Sequence, residues 1–304
     1  MPLVSVVIPT RDRRGALERA LASIEAQRFR NFEVVVVDDG SVDDTAAWLR
    51  LNRPSVSLVE IQQPGGAAAA RNRGVARARG ELIAFLDDDD FWHPSYLEAQ
   101  VAQFEAHPKA DLCTTGHIEV DAARRVSRPD LRPLYPYPEA VVHFLAECPI
   151  HTLSVVACRR AAFDRIGPFD ESLSIVHDLD WYLRLIASGG QMAHCAAALV
   201  ERSMPGGLVS RHRHWFTEER AFHRRFFAAG GCPKGRQRRV RSSRALLFAR
   251  TALAKKDFVF GLSRLAEAFF VSPLDAGYIS ARRLARRWPR NANTMLTAEV
   301  LEER

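Results

Sequence analysis

Four consecutive aspartates, Asp87-Asp88-Asp89-Asp90, follow the short apolar run Leu82–Leu86. Adjacent carboxylates repel, and Asp is a poor strand former, so a plain turn would more readily use Asn, Ser or Gly. A divalent cation relieves the repulsion, and hard oxygen ligands suit Mg2+ or Mn2+. An ion held by one or two carboxylates commonly also holds a diphosphate. The bland alternative is a solvated acidic turn. Two other polar clusters also follow apolar runs: Pro9-Thr10-Arg11-Asp12 after Leu3–Ile8, and Asp38-Asp39-Gly40-Ser41 after Val34–Val37. A fourth group, His177-Asp178-Leu179-Asp180-Trp181, opens a helical pattern carrying Leu179, Leu183 and Ile186. Asp at a helix start is most often a cap, but facing a metal–diphosphate it could act as a general base.

The elements that must position these groups alternate. Strands are expected over Leu3–Ile8, Val34–Val37, Ser55–Ile61 and Leu82–Leu86, and helices over Arg13–Gln27 and Gly66–Arg79. Ser41-Val42-Asp43-Asp44 resembles a capping box opening a helix between the second and third strands. Such alternation implies a parallel sheet with helices on both faces, and ligands then bind beyond the carboxyl ends of the strands. All three polar clusters lie there. Further strands are expected near Leu112–Val120, Leu153–Cys158 and Ala193–Val200, and helices near Glu139–Ala146, Arg160–Ile166 and Asp178–Ser188. Beyond Arg211 only helices are expected: His214–Phe227, Arg236–Ala254, Phe258–Phe270 and Leu274–Trp288. There is no G-x-x-x-x-G-K-[ST] and no G-x-G-x-x-G. Gly65-Gly66 opens a helix containing Arg71; this start could face phosphate with Arg71 neutralising it, or be only a tight connection.

In order, "VSVVIPTRDR" (4–13), "FEVVVVDDGSVDDT" (32–45), "PGGAAAARNRGVARARGELIAFLDDDDFWHP" (64–94), "IGPFDESL" (166–173) and "HDLDWYLRLIASG" (177–189) resemble segments of the family 2 glycosyltransferases. The resemblance covers roughly residues 3–210. It implies an α/β fold of the GT-A, Rossmann-like type: a mostly parallel central sheet flanked by helices, here with a C-terminal helical appendage. It implies a catalytic domain over 1–210; the helical pattern and the charge leave a basic helical region over 211–304. The implied reaction is inverting transfer of a sugar from a nucleotide-diphospho-sugar, UDP by default, to a glycan, lipid-linked or other hydroxyl acceptor. Mn2+ or Mg2+ would assist. Position by position, Thr10 and Asp39 match base-contacting residues, with Pro9 and Arg11 beside them. Arg71 matches an arginine near base and diphosphate, Asp87 the ribose contact, Asp89 the metal ligand and Asp178 the catalytic base. Asp88 and Asp90 would shape the loop. Two positions depart from the family pattern. His177 stands where Glu usually precedes the base, and Met204 where a metal-binding His is common, with His212 or His214 as substitutes. Acceptor contacts are expected from about 113–155, which includes His117, Tyr135, Tyr137 and His151.

The chain has 304 residues and a formal charge of +7. The charge is unevenly placed: 21 Lys/Arg against 28 Asp/Glu over 1–201, a net of −7, and 22 against 8 over 202–304, a net of +14. No run approaches the ~20 apolar residues of a membrane span. The N-terminus lacks the pattern of a cleaved signal. Five dispersed cysteines form no C-x-x-C pair. A reducing cytoplasm fits that usage, with peripheral contact at the inner face of the membrane as an option. The basic runs are Arg236, Arg238, Arg239, Arg241 and Arg244, then Arg282, Arg283, Arg286, Arg287 and Arg290 with Trp288. They admit a solvated face, docking to anionic lipid, or nucleic-acid binding, and no nucleic-acid motif accompanies them. The rival to an enzyme is a non-catalytic protein that keeps the nucleotide-sugar fold and interacts through this tail.

Overall fold

The computed structural model describes residues 1–121, 129–130, 140–204 and 212–273. The helix expected over 274–288, its arginines and Trp288, and Tyr135 and Tyr137 lie outside these. The described residues fall into two compact units, one from 1–121, 129–130 and 150–204, the other from 140–149 and 212–273.

In the first unit the valine- and isoleucine-rich runs become β1 (Val4–Thr10), β2 (Phe32–Asp38), β3 (Ser57–Glu60) and β4 (Leu82–Phe85). Val6, Val7, Ile8, Val35, Val36, Val37, Ile83 and Ala84 have no exposed surface, as expected of strands covered on both faces. The helices are α1 (Arg14–Glu25), α2 (Thr45–Asn52) and α3 (Gly66–Arg77). α1 buries Leu17, Ala20, Leu21 and Ile24, the predicted face. The chain continues through β5 (Phe91–Trp92), α4 (Tyr96–Ala106), β6 (Ala110–Val120), a 3-10 turn at Leu153–Val155, β7 (Val156–Arg159), α6 (Arg160–Ile166), α7 (His177–Ala187) and β8 (Gln191–Ser203). α5 (Ala140–Glu147) intervenes between β6 and the turn, and belongs to the second unit.

The eight strands form one sheet in the order β3-β2-β1-β4-β7-β6-β8-β5. β3, β2, β1 and β4 are parallel, as are β6 and β8. β4 with β7, β6 with β7, and β5 with β8 are antiparallel. Four of seven pairings are therefore parallel. Chain order reverses at β1, and the crevice beyond β1 and β4 is where such sheets bind ligands.

Three local expectations change. Ser41 does not cap α2; its Oγ accepts the Asp12 N–H at 2.9 Å, while Asp43 accepts the Thr45 N–H at 3.0 Å. The strand expected from Leu153 begins only at Val156, because Thr152 Oγ1 accepts the Ser154 N–H and closes a tight turn first. α4, with Tyr96, Leu97, Gln100, Val101 and Phe104 buried, was not foreseen, nor was β5.

The second unit also contains α8 (His212–Ala228), α9 (Lys234–Ala254) and α10 (Phe258–Val271), with α9 packed against α5, α8 and α10. Arg244, one of the basic run, is buried. It pairs with Glu219 and stacks over Trp215 and Phe248. Arg236, Arg238 and Arg241 remain exposed. Among the described residues no helix is long and apolar enough to cross a membrane.

Candidate active site

β1, β2 and β4 end in register, so their polar tails meet. Thr10 is buried and donates to Asp88 Oδ2 at 2.8 Å. Arg13, at the start of α1, reaches Asp88 Oδ1 at 3.1 Å and Asp89 Oδ2 at 2.9 Å with one nitrogen. Thr152 donates to Asp90 Oδ2 at 3.0 Å and to Asp87 Oδ2 at 3.3 Å. The Ser203 N–H donates to Asp90 Oδ1 at 2.9 Å, and the Asp87 N–H to Ser154 Oγ at 3.0 Å. The aspartate loop is thus suspended from β1, α1, the 3-10 turn and the end of β8.

This loop holds more carboxylates than the neighbouring cations balance. Burial pushes Asp88 up to about 6, against the lowering pull of Thr10 and Arg13. Burial and the Asp87 charge raise Asp89, and the same two causes push Asp90 up to about 7. Burial opposes the charge on Arg13, yet Asp88 and Asp89 outweigh it and raise its pKa. Hard oxygen donors crowded under an excess of negative charge fit a divalent cation such as Mg2+ or Mn2+.

Arg71 enters from α3, with its side chain only 7% exposed. Its Nη2 donates to Asp87 Oδ1 at 2.5 Å and its Nη1 lies 2.8 Å from His177 Nε2. A guanidinium only donates, so Nε2 of His177 must accept, which places the proton of this neutral imidazole on Nδ1. His177 therefore does for Arg71 what a carboxylate would, without adding charge. Asp178 follows, in the first turn of α7, where its Oδ1 accepts the Leu179 N–H at 2.7 Å. Burial pushes Asp178 up to about 6 despite that bond and nearby Arg71, and Asp87 adds to the rise.

Asp39 accepts from the N–H groups of Gly65 and Gly66, each at 2.8 Å. The start of α3 is thus capped by the chain's own carboxylate, and those two amides are not left for a phosphate. Gly66 has φ +83°, which a side chain would resist. Asp39 also donates its N–H to the Thr10 carbonyl at 2.9 Å, joining the ends of β1 and β2. Pro9 lies within β1 opposite Val37. Arg11 is exposed and its Nε lies 3.6 Å from Asp12 Oδ2.

The fold therefore brings Thr10, Arg71, Asp87, Asp88, Asp89 and Asp178 into one connected set. Arg13, Thr152, Ser154 and Ser203 belong to it and were missed. Three of these are single hydroxyl residues, with no spacing to mark them. Arg13 is one of three arginines, with Arg11 and Arg14, that follow the first strand, and the sequence does not single it out. Met204 directly follows β8, and its N–H donates to the Val120 carbonyl at 2.8 Å. His212 and His214 lie in the second unit, with Nε2 at 2.9 Å from Asp257 and 3.9 Å from Glu218, respectively.

A family profile described as "Glycosyl transferase family 2" matches residues 5–167, just over half of the chain. Among curated relatives, an uncharacterized glycosyltransferase of Rickettsia typhi is 28% identical over 197 residues, covering 61% of this chain and 59% of the relative. The succinoglycan biosynthesis protein ExoO of Rhizobium meliloti is 29% identical over 308 residues, covering 95% of this chain and 88% of ExoO. Among solved structures, a mannosyltransferase from Pyrobaculum calidifontis, in complex with GDP-Man and Mn2+, superposes with a TM-score of 0.60 at 20% identity. That superposition covers 97% of this chain and 83% of the other.

Proposed function

Since the chain belongs to glycosyl transferase family 2, we propose that it transfers a sugar from a nucleotide-diphospho-sugar to an acceptor hydroxyl, inverting the anomeric carbon, in the synthesis of a cell-surface glycan or glycoconjugate. The observation that carries this reading is the Arg71 bridge. One buried guanidinium ties Asp87 of the aspartate loop to His177, the residue before Asp178.

In the proposed mechanism the nucleotide lies over the ends of β1 and β2. Thr10 and Asp39 face its base with Pro9 and Arg11 at the border, and Asp87 faces the ribose. Arg71 offsets diphosphate charge. Asp89, supported by Asp88, would hold Mn2+ or Mg2+, which when bound neutralises charge building on the diphosphate. Asp178 takes the acceptor hydroxyl proton. The hydroxyl oxygen forms its bond to the anomeric carbon as the bond to the diphosphate oxygen breaks, and that electron pair leaves with the nucleoside diphosphate. A carboxylate near pKa 6 is suited to this at neutral pH, being ionised yet more basic than an exposed aspartate.

UDP remains the default nucleotide, on resemblance; the Pyrobaculum calidifontis mannosyltransferase of similar fold was solved with GDP-Man. For the second unit we retain contact with anionic lipid as the proposal. Exposed Arg236, Arg238 and Arg241, and exposed Phe258, Val259, Leu262, Phe269 and Phe270 on α10, support it. Binding to anionic liposomes that disappears at high salt is expected, and no binding at low salt would refute it.

The test of the main reading is a screen of UDP-, dTDP- and GDP-sugars with the full chain, following thermal stabilisation and donor hydrolysis with Mn2+ or Mg2+. One donor class should stabilise the protein and turn over. Stabilisation by none of them would overturn the reading.

A further inference from the structure

A second cluster of metal-ligating side chains lies outside the aspartate loop. His117 is on β6, and its backbone pairs with Asp130 in an isolated antiparallel bridge. The His117 N–H donates to the Asp130 carbonyl at 3.1 Å, and the Asp130 N–H to the His117 carbonyl at 2.7 Å. Residues directly opposite in such a bridge project their side chains to the same side. His151, just before the 3-10 turn, meets them there. Its Nδ1 lies 3.8 Å from Asp130 Oδ2, and its ring centroid is 5.6 Å from that of His117. One ligand atom from each of the three residues lies within 4.8 Å of the other two.

We propose that His117, Asp130 and His151 form a site for a divalent transition metal of the zinc type, separate from the aspartate loop. Two ligands at tetrahedral angles around zinc stand about 3.4 Å apart, given metal–ligand distances near 2.1 Å. The separation of 3.8 Å is close to this. The widest allowed one exceeds it by about 1.4 Å, which rotation of the partly exposed His151 ring can cover. The donor set also sorts the metals. Two imidazoles and one carboxylate favour Zn2+, Co2+ or Ni2+, whereas the all-carboxylate loop favours Mg2+ or Mn2+. Three protein ligands leave a fourth position to water or an acceptor oxygen, the pattern of open rather than closed zinc sites. The site is one residue from Thr152, whose hydroxyl holds Asp87 and Asp90. An ion there would pin the 3-10 turn to β6 and hold that hydroxyl in place.

The test uses the untagged full chain, stripped with chelator and titrated with Co2+, whose visible spectrum reports imidazole coordination. The stripped chain should bind about one Co2+ through this site, displaced by Zn2+ and not by Mg2+. Asp89→Ala should leave this binding intact, which separates the site from the donor metal. His117→Gln combined with His151→Gln should weaken it by at least about 100-fold, the scale reached by loss of even a supporting partner. Should that variant fail to fold, His151→Ala alone and Asp130→Asn alone must each weaken binding. Absence of any imidazole-type Co2+ spectrum in the wild-type chain overturns the proposal, and so does undiminished binding in the folded variants.

Discussion

Asp178→Asn should make the protein both less active and more stable, and the second effect should depend on pH in a defined way. Burial raises the Asp178 pKa from 3.8 to about 6. Its folded state therefore holds the proton more tightly than the unfolded chain does. Between these two values the folded protein binds more protons, so this group's contribution lowers stability as pH rises through the window. A shift of about two units, at about 1.4 kcal/mol each, gives a cost of up to about 3 kcal/mol above pH 6. Asn can still accept the Leu179 N–H but carries no charge to desolvate. Urea unfolding of the Asn variant should show about 3 kcal/mol of added stability at pH 8 and almost none at pH 4. Sugar transfer should fall about 100- to 10,000-fold, while donor binding persists. Wild-type transfer should rise through about pH 6 as Asp178 ionises. A stability gain that is the same at pH 4 and pH 8 would refute the burial cost, and full transfer by the variant would refute the base.

Three further outcomes follow from the geometry. Asp89→Ala should abolish the part of donor binding that depends on Mn2+, measured by calorimetry with and without the ion; unchanged metal dependence would remove Asp89 from the site. Gly74→Ala should cost about 1–3 kcal/mol of stability, since its Cβ would stand 2.3 Å from Val7 Cγ1 and 3.2 Å from Val37 Cγ2. Denaturant midpoints with an unchanged slope would measure it. Glu219→Ala leaves Arg244 charged and buried, so the second unit should lose about 3–5 kcal/mol, read as an earlier unfolding transition.

The parallel half of the sheet was legible because β1, β2 and β4 are short apolar runs, Val34–Val37 unbroken, and because each of these three ends in a polar cluster. α4 was missed although its buried residues repeat with helical spacing, because a polar Gln100 stands on its buried face and weakens the apolar period. The antiparallel pairing of β4 with β7 has no local signature, being a contact between segments some 70 residues apart. At the candidate site, the carboxylates and Arg71 announced themselves as charges that a core would otherwise exclude. Thr152, Ser154 and Ser203 did not, since a hydroxyl is as common in an ordinary turn as in a buried network. Nor did the sequence suggest that Asp39 would cap α3, because hydrogen bonding to backbone amides leaves the composition of Gly65-Gly66 unchanged.

The glycine at position 74 has a consequence beyond its fit. With no side chain at this position, the backbone of α3 comes close to Val7 and Val37 at Gly74, while Ala70 packs against Val37 one turn earlier. Arg71 stands one turn away on that same rigid rod. A larger side chain at either valine would press on the helix backbone at this contact, and the expected response is a shift of α3 that carries the guanidinium with it. If Arg71 meets the donor as proposed, engineering that enlarges or shrinks those core positions would retune donor selectivity from beneath.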